Sequence, residues 1–498
     1  MRAKMRVPIF RIDQPAILSH SQGRWAQTAR SLFQTQVDLS LTTHEFLRRS
    51  RIPTSAARVF AWHMRRGAFE RLAPPWEEPL VTSPFSPPVV GGKVELKVPV
   101  LPGVWAKWVS EFAEVKDGEL FRDVQESGPF TSFDHTHRFE PSSEHESVME
   151  DRIRYVPPGG ALGDAVLSSY IRKRLEATFD YRHRVLAKDL AVHAQATRPV
   201  MRILVTGASG LVGRTLVAFL ESGGHRVERL TRSKASPPDE IEFDPEQGAA
   251  HPSEMEGFDA VIHLAGEPVA KGRWTAAKKR RVRDSRLRFT RRLAETLSAL
   301  KEPPSVFISS SATGYYGDRG DRILRESDSP GEGFLPDVCV EWEGATEPAL
   351  QAGIRVVHLR TGLVLTPGGG ALQPMLLPFG LGLGGPLGSG NQWWSFISID
   401  DLVYAIHHLL MHDKIRGPVN ATSPEPVTNR DFTRILGLVL NRPAVLPLPK
   451  FALEAALGGM TEPLLMASAR VNPEKLLDSG FRFAYPSLEG ALRHLLGR

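Results

Sequence analysis

Arg202-Ile-Leu-Val-Thr206-Gly207-Ala-Ser209-Gly210-Leu-Val-Gly213 is the stretch on which the reading of this 498-residue chain turns. A short apolar run enters a loop with glycines at 207, 210 and 213, and a helix-forming segment, Arg214 to Glu221, follows. Such a strand–loop–helix unit cradles phosphate. Gly207 lets the strand turn sharply, Gly210 lets backbone N–H groups approach a pyrophosphate, and Gly213 lets the helix pack close to the strand. The positive end of the helix then faces the anion. Thr206, Ser209, Leu211 and Val212 complete the loop as candidate cofactor-binding residues.

A glycine triplet by itself also fits a turn that binds nothing, so its surroundings decide. His225 to Leu230 reads as a second strand and Asp259 to Leu264 as a later one. Ser305 to Ser309 follows a long helical pattern as a further strand. Strands alternating with helices build a doubly wound parallel sheet. In such a sheet an acid at the end of the second strand holds a ribose 2′-OH, whereas an arginine suits a 2′-phosphate. Here that strand runs into Leu230-Thr231-Arg232-Ser233-Lys234, with no acid. The expected cofactor is NADP, with NAD possible, and Arg232 its phosphate ligand; the plain alternative is a solvated loop arginine.

Length calls for two or three domains. The 41% hydrophobic and 24% charged fractions are those of a globular protein, and a net charge of +6 over 498 residues does not call for a nucleic-acid or membrane-surface partner. One cysteine, Cys339, rules out an internal disulfide and fits a reducing compartment. No long apolar run lacks Gly or Pro, so no membrane span is expected, and the expected location is the cytoplasm. Oligomeric state is not legible.

Residues 1–40 show no period and receive no fold. From His44 a strand runs to Ile52, and Pro53-Thr54-Ser55 offers caps for a helix through Val59, Phe60 and His63. Strand-like runs follow at Lys93–Val100, Trp105–Val115, Leu120–Gln125, Ser132–Phe139 and Ser147–Val156. Turns separate them, at Lys116-Asp117-Gly118 and Pro141-Ser142-Ser143 among others. A long helical pattern spans Leu162 to about His193, with Val166, Tyr170, Ile171, Leu175, Phe179, Leu186 and Leu190 at helical spacing. His135 and His137 alternate on a strand and share a face. They read either as a metal or acid–base pair or as two half-exposed strand histidines. With no third ligand nearby in sequence the second reading is adopted, and no metal is expected.

Residues 41–195 resemble the START-like (SRPBCC) helix-grip superfamily. The resemblance rests on element order, Ile52-Pro53, Phe121-Arg-Asp123, Gly128-Pro129-Phe130, His135-Thr-His137-Arg-Phe139, Asp151, Tyr155-Val-Pro157-Pro158-Gly159 and the final helix. It implies a curled sheet gripping a helix around a cavity for a hydrophobic small molecule. Gln195 to Pro199 reads as a linker. From Met201 onward the chain resembles the atypical, extended branch of the short-chain dehydrogenase/reductase superfamily, within it the sugar-nucleotide-epimerase-like family. The matching residues include the glycine loop, Thr231-Arg232-Ser233, His263-Leu264-Ala265-Gly266-Glu267, Ser309-Ser310-Ser311, Tyr315-Tyr316-Gly317, Glu341-Trp342-Glu343 and Leu359-Arg360-Thr361. The resemblance implies a Rossmann-type domain over 200–445, a small C-terminal module over 446–498, and His263, Leu264, Ala265, Gly266 and Ser310 as further cofactor contacts.

The reaction is less legible. This superfamily uses Tyr-x-x-x-Lys, whose lysine lowers the phenol pKa. None of the seven tyrosines here has a lysine four residues on. Phe334 to Glu343 occupies that place, with Cys339 and Glu343 at the tyrosine and lysine positions in one register and Glu343 as a following acid in another. A serine remains, Ser310 or Ser311, to hydrogen-bond a substrate carbonyl, with Ser311 taken as the catalytic candidate, and Tyr315 or Tyr316 as a substitute phenol; the alternative is that these residues only shape the pocket. Cys339 reads as a buried structural thiol. The basic run Lys278 to Arg292 carries Val282, Leu287 and Leu293 as an apolar stripe, hence a helix with a solvated basic face. Asp400-Asp401 reads as the cap of the Leu402–Leu410 helix. The expectation is an NAD(P)-dependent oxidoreductase or epimerase acting on a small or apolar carbonyl or alcohol. The rival is a non-enzymatic sensor of NADP and a hydrophobic ligand.

Overall fold

Alternation turns Phe46 and Ile52 inward between polar neighbours along His44–Ile52, and this run is the edge strand β1 of a seven-stranded antiparallel sheet. A computed structural model describes residues 42–498 except 78, 79, 102, 233–238, 250 and 271, so residues 1–40, Ser233 and Lys234 lie outside the described residues. The remaining strands are β2 (Leu80–Val81), β3 (Lys93–Leu101), β4 (Val104–Lys116), β5 (Leu120–Ser127), β6 (Ser132–Ser143) and β7 (Glu146–Val156). They are ordered β1-β7-β6-β5-β4-β3-β2. The expected turn at Pro141–Ser143 lies two residues later, because the strand absorbs Pro141 with a register shift.

A 35-residue helix, Gly160–Ala194, packs against one face of this sheet. Phe179 meets Phe46 and His135 at ring-centroid distances of 5.4 and 5.3 Å. The apolar stripe expected along the whole helix is buried only in its second half. Val166 and Tyr170 are 74% and 57% exposed, while Phe179, Val185 and Leu186 are buried. His135 and His137 also depart from expectation. They are largely buried under this helix, and the neighbouring strands set Asp123 and Asp151 beside them, so the missing third partner comes from across the sheet.

The second sheet is doubly wound. Its parallel strands run Glu240–Asp244, Arg226–Thr231, Arg202–Thr206, Ala260–His263, Val306–Ala312, Arg355–Thr361 and Gly417–Ala421, with the short Gly248–Ala249 antiparallel at one edge. Helices Leu211–Ser222 and Ile399–Met411 cover one face with Leu216, Phe219 and Leu402; helix Ala276–Ser298 covers the other with Phe289, Leu293 and Leu297. Leu488, Leu492 and Leu495 enter the same core as Trp394 and Phe432. No helix among the described residues is long and apolar enough to cross a membrane.

The two sheets meet through buried charge. Arg71, 2% exposed, forks onto both oxygens of Asp189 at 2.8 Å and reaches Asp400 at 2.8 Å. Asp400 also takes the His494 Nε2 contact at 2.8 Å, and Tyr404 donates to Asp189 at 2.7 Å. Asp400 and Asp401 are therefore not the helix cap. Ser398 holds that position, and Asp401 accepts from the backbone N–H of Ala484 and Tyr485. Gly67 sits so close to the neighbouring helix that a Cβ there would lie 2.1 Å from the Ala218 carbonyl oxygen.

Candidate active site

Strand order reverses between Arg202–Thr206 and Ala260–His263, and the crevice at the carboxyl ends of these strands is where such sheets take ligands. Gly207 has φ +68°, and a Cβ on it would lie 2.8 Å from the Ala265 nitrogen of the neighbouring loop. A Cβ on Gly213 would lie 2.2 Å from the Gly207 carbonyl oxygen. No side chain caps the helix that starts at Leu211. The loop is thus a glycine-dependent cradle at a helix N-terminus without a side-chain cap, which fits a dinucleotide pyrophosphate.

Behind the cradle, the Thr206 hydroxyl is 2.7 Å from His263 Nδ1 and accepts from the N–H of Leu264 and Ala265 at 3.2 Å. His263 Nε2 reaches Thr290 at 3.0 Å. Burial, with Arg286 adding to it, lowers this imidazole to a pKa of about 3, so it is neutral and fixes the two loops from within.

A cleft of about 1830 Å³ opens in front. Val212, Leu264, Ala265, Gly266, Ser310 and Ser311 line it, together with Trp274, Phe334, Met375, Phe379, Leu446, Leu465 and Trp393. Its cations are Lys279, over the rings of Trp274 and Phe334, and Arg286, 4.9 Å over Trp342. Lys278 and Arg286 thus leave the solvated face expected of their helix: Lys278 is buried against Glu267 at 2.7 Å, and Arg286 donates to the Glu267 carbonyl at 3.0 Å. Arg232 is exposed after the second strand. The Glu267 carboxyl is held below its usual range by the Lys278 hydrogen bond first, with the charges of Lys278, Arg281 and Arg232 adding to it.

Where a phenol and lysine would stand, the chain builds another network. Ser311 donates to Glu343 Oε1 at 2.7 Å. Arg360 grips the same carboxylate twice, at 2.8 and 2.9 Å, and donates to the Tyr316 hydroxyl at 3.1 Å. Tyr316 donates to Asn420 at 2.7 Å; burial pushes its phenol up to about 12. The Tyr315 ring lies 3.4 Å under the Arg360 guanidinium and is not among the residues lining the cleft. Of the two catalytic candidates, Ser311 is at the cleft and Tyr315 is not. Cys339 lines the cleft, but burial pushes its thiol up to about 12, which makes it a poor nucleophile. Arg360 is the partner that sequence reasoning left without a role; its only signal was the absence of any lysine to accompany Glu343.

The model of the NAD dependent epimerase/dehydratase family matches residues 203–421, and that of a domain of unknown function matches 448–495. An epimerase family protein of Mycobacterium tuberculosis is 42% identical over 298 residues, 59% of this chain and 98% of that protein. The human epimerase family protein SDR39U1 is 34% identical over 300 residues, 59% of this chain and 100% of that protein. Among solved structures, a nucleoside-diphosphate sugar epimerase from Corynebacterium glutamicum superposes with a TM-score of 0.74 at 30% identity, covering 91% of this chain and 90% of that one. Human SDR39U1 with NADPH superposes with a TM-score of 0.55 at 32% identity, covering 59% of this chain and 99% of that one. The first of these superpositions extends over both sheets; the second covers a share equal to the residues after 200.

Proposed function

The chain belongs to the epimerase family of SDR39U1-like proteins, and from that premise we propose that it binds a nicotinamide dinucleotide, NADP in preference to NAD, and uses it on an apolar carbonyl or alcohol. The observation that carries the reading is the glycine cradle opening into a cleft walled by Trp274, Phe334, Met375, Phe379 and Leu465. Apolar walls favour a hydrophobic substrate over a sugar, whose hydroxyls need partners. The NADPH carried by the human relative's structure supports the cofactor, and Arg232 supports the choice of NADP.

The dinucleotide, when bound, supplies or accepts hydride. Ser209, Gly210, Leu211 and Val212 would hold its pyrophosphate, with Thr206, Gly207 and Gly213 shaping the loop from behind, and Leu264, Ala265, Gly266 and Ser310 would flank it. Ser311 would orient the substrate oxygen. Its own proton points at Glu343, so its lone pairs can accept the substrate hydroxyl proton as it passes its proton to the carboxylate. Arg360 fixes Glu343 for that exchange. Fluorescence titration with NADPH and NADH, followed by a hydride-transfer screen over apolar aldehydes, ketones and alcohols, tests the proposal. Turnover of any of them supports it.

A second reading rests on the missing phenol–lysine pair: the protein senses NADP and a hydrophobic ligand without turning either over. Tight NADPH binding with no hydride transfer would favour it. In both readings residues 41–195 form a START-like unit that takes the hydrophobic molecule, 200–445 the Rossmann domain and 446–498 its C-terminal extension. The exposed Leu162, Val166 and Tyr170 on the gripped helix support an apolar ligand for the first unit.

A further inference from the structure

The first sheet holds a cluster that the cleft does not use. Register sets Asp123 on β5 opposite His135 on β6, and Asp151 on β7 opposite His137. The two histidine rings share a face, with centroids 3.8 Å apart. Asp151, 1% exposed, gathers one nitrogen from each of three histidines: His135 Nε2 at 2.9 Å, His137 Nδ1 at 2.8 Å and His183 Nε2 at 2.6 Å. The opposite nitrogens, His135 Nδ1 and His137 Nε2, face Asp123 Oδ1 at 3.8 and 3.6 Å, beyond hydrogen-bond length. Ser110 donates to the other Asp123 oxygen at 2.5 Å and so aims Oδ1 at the rings.

Two imidazole nitrogens and one carboxylate oxygen therefore converge, each within 4.8 Å of the others. A tetrahedral ion at about 2.0–2.1 Å from its ligands spaces them roughly 3.3 Å apart, so closure needs only small side-chain movements. We propose that Asp123, His135 and His137 bind a divalent first-row transition-metal ion of the zinc class, with Asp151, hydrogen-bonded to His135 Nε2, as the carboxylate that orients that imidazole. That outer hydrogen-bonding arrangement is the one that fixes ligating histidines elsewhere.

A second observation points the same way. His63 is 8% exposed, and its ring centroid is 6.2 Å from that of His137. Its Nδ1 is 2.8 Å from the Val59 carbonyl, which leaves Nε2 buried with no partner among the described residues. A bare Nε2 lone pair is the state in which histidine ligates, so His63 is placed as a fourth ligand, directly or through a water. Charge agrees: a dication offsets the buried Asp151 and the partly buried Asp123 on either side of the histidine pair. Donors of imidazole and carboxylate type select zinc, cobalt or iron(II) over the all-oxygen preference of calcium and magnesium.

The test uses the full chain, stripped by chelator and titrated with Co²⁺ while the visible ligand-field band is followed, then with Zn²⁺ in competition. One ion per chain is expected. Asp123→Asn, nearly isosteric, and His137→Gln should each weaken binding by at least about a hundredfold. Circular dichroism establishes that each variant is folded, and Asp123→Asn decides the matter where His137→Gln is not. The rival pair is His408 and His412, whose rings stack at 3.7 Å, and His412→Ala should leave the band unchanged. Absence of a band in the parent chain, a band retained in folded Asp123→Asn, or one lost in His412→Ala would overturn the proposal.

Discussion

A methyl group is enough to test the cradle. Gly213→Ala places a Cβ 2.2 Å from the Gly207 oxygen and 2.8 Å from Ala208 Cα, both backbone contacts that cannot swing away. Alanine is otherwise the better helix former by about 1 kcal/mol. NADPH affinity in a fluorescence titration should nonetheless fall by more than about tenfold, because the loop must shift. Arg232→Asp should narrow or reverse a preference for NADPH over NADH, by about tenfold or more for one charge-assisted contact; equal affinities in the parent chain would remove the basis for NADP. Ser311→Ala should lower turnover by roughly 10²–10⁴ while leaving the dinucleotide Kd unchanged. The same residues show what a sequence reveals. Gly207, Gly210 and Gly213 lie within seven consecutive residues, so their spacing is their meaning. Ser311, Glu343 and Arg360 come from three distant segments, and only the fold shows that Tyr315 serves the guanidinium rather than the cleft.

Helix and strand extents follow closely from period and turn chemistry, since both are local. What each face touches is not local. The helix Gly160–Ala194 carries an apolar stripe throughout, yet its first turns leave Leu162 and Val166 exposed at 82% and 74%. The acids at 400 and 401 look like a cap because caps are the commonest use of such a pair, but Asp400 faces Arg71 from the other half of the chain. Arg71→Met would leave Asp189 and Asp400 buried without their cation. The expected cost is about 3–5 kcal/mol of stability, read from urea denaturation, and a loss below 1 kcal/mol would mean that water replaces the guanidinium.

At the scale of the molecule, residues 200–498 should fold and titrate NADPH without the first sheet, since relatives consist of that part alone. The fragment should melt below the full chain, because Asp400 then lacks Arg71; an insoluble fragment would show that the halves share one core. Acid should also weaken the whole. Burial lowers His263 and His407 to about 3 and His225 and His408 to about 4. The unfolded chain takes up protons on these rings near pH 6.5 and the folded chain only much lower. Their contribution is therefore full above pH 6.5 and is lost as pH falls toward 4. Asp401 acts the other way, its carboxyl pushed up to about 6 by burial, so it favours the folded chain most below pH 4 and loses that effect as pH rises to 6. Burial lowers His63, His193 and His358 in the same way and raises the carboxyls of Asp189, Glu221 and Glu326 in the way of Asp401. The lowered rings outnumber the raised acids, so the melting temperature should rise between pH 4 and 6.5; a flat or falling profile would contradict this burial pattern. The long helix adds a constraint of another kind. Phe179 is keyed to the first sheet and His193 stacks at 4.3 Å on Phe219, on the helix Leu211–Ser222 that covers the second. One rod therefore carries two rotational settings. Inserting a single residue between them would turn one end by about 100° against the other and break one interface to keep the other, whereas seven residues, near two full turns, would restore the phase. The span from Phe179 to His193 acts as a clock angle as much as a distance, and any graft of another domain onto this Rossmann half must match it.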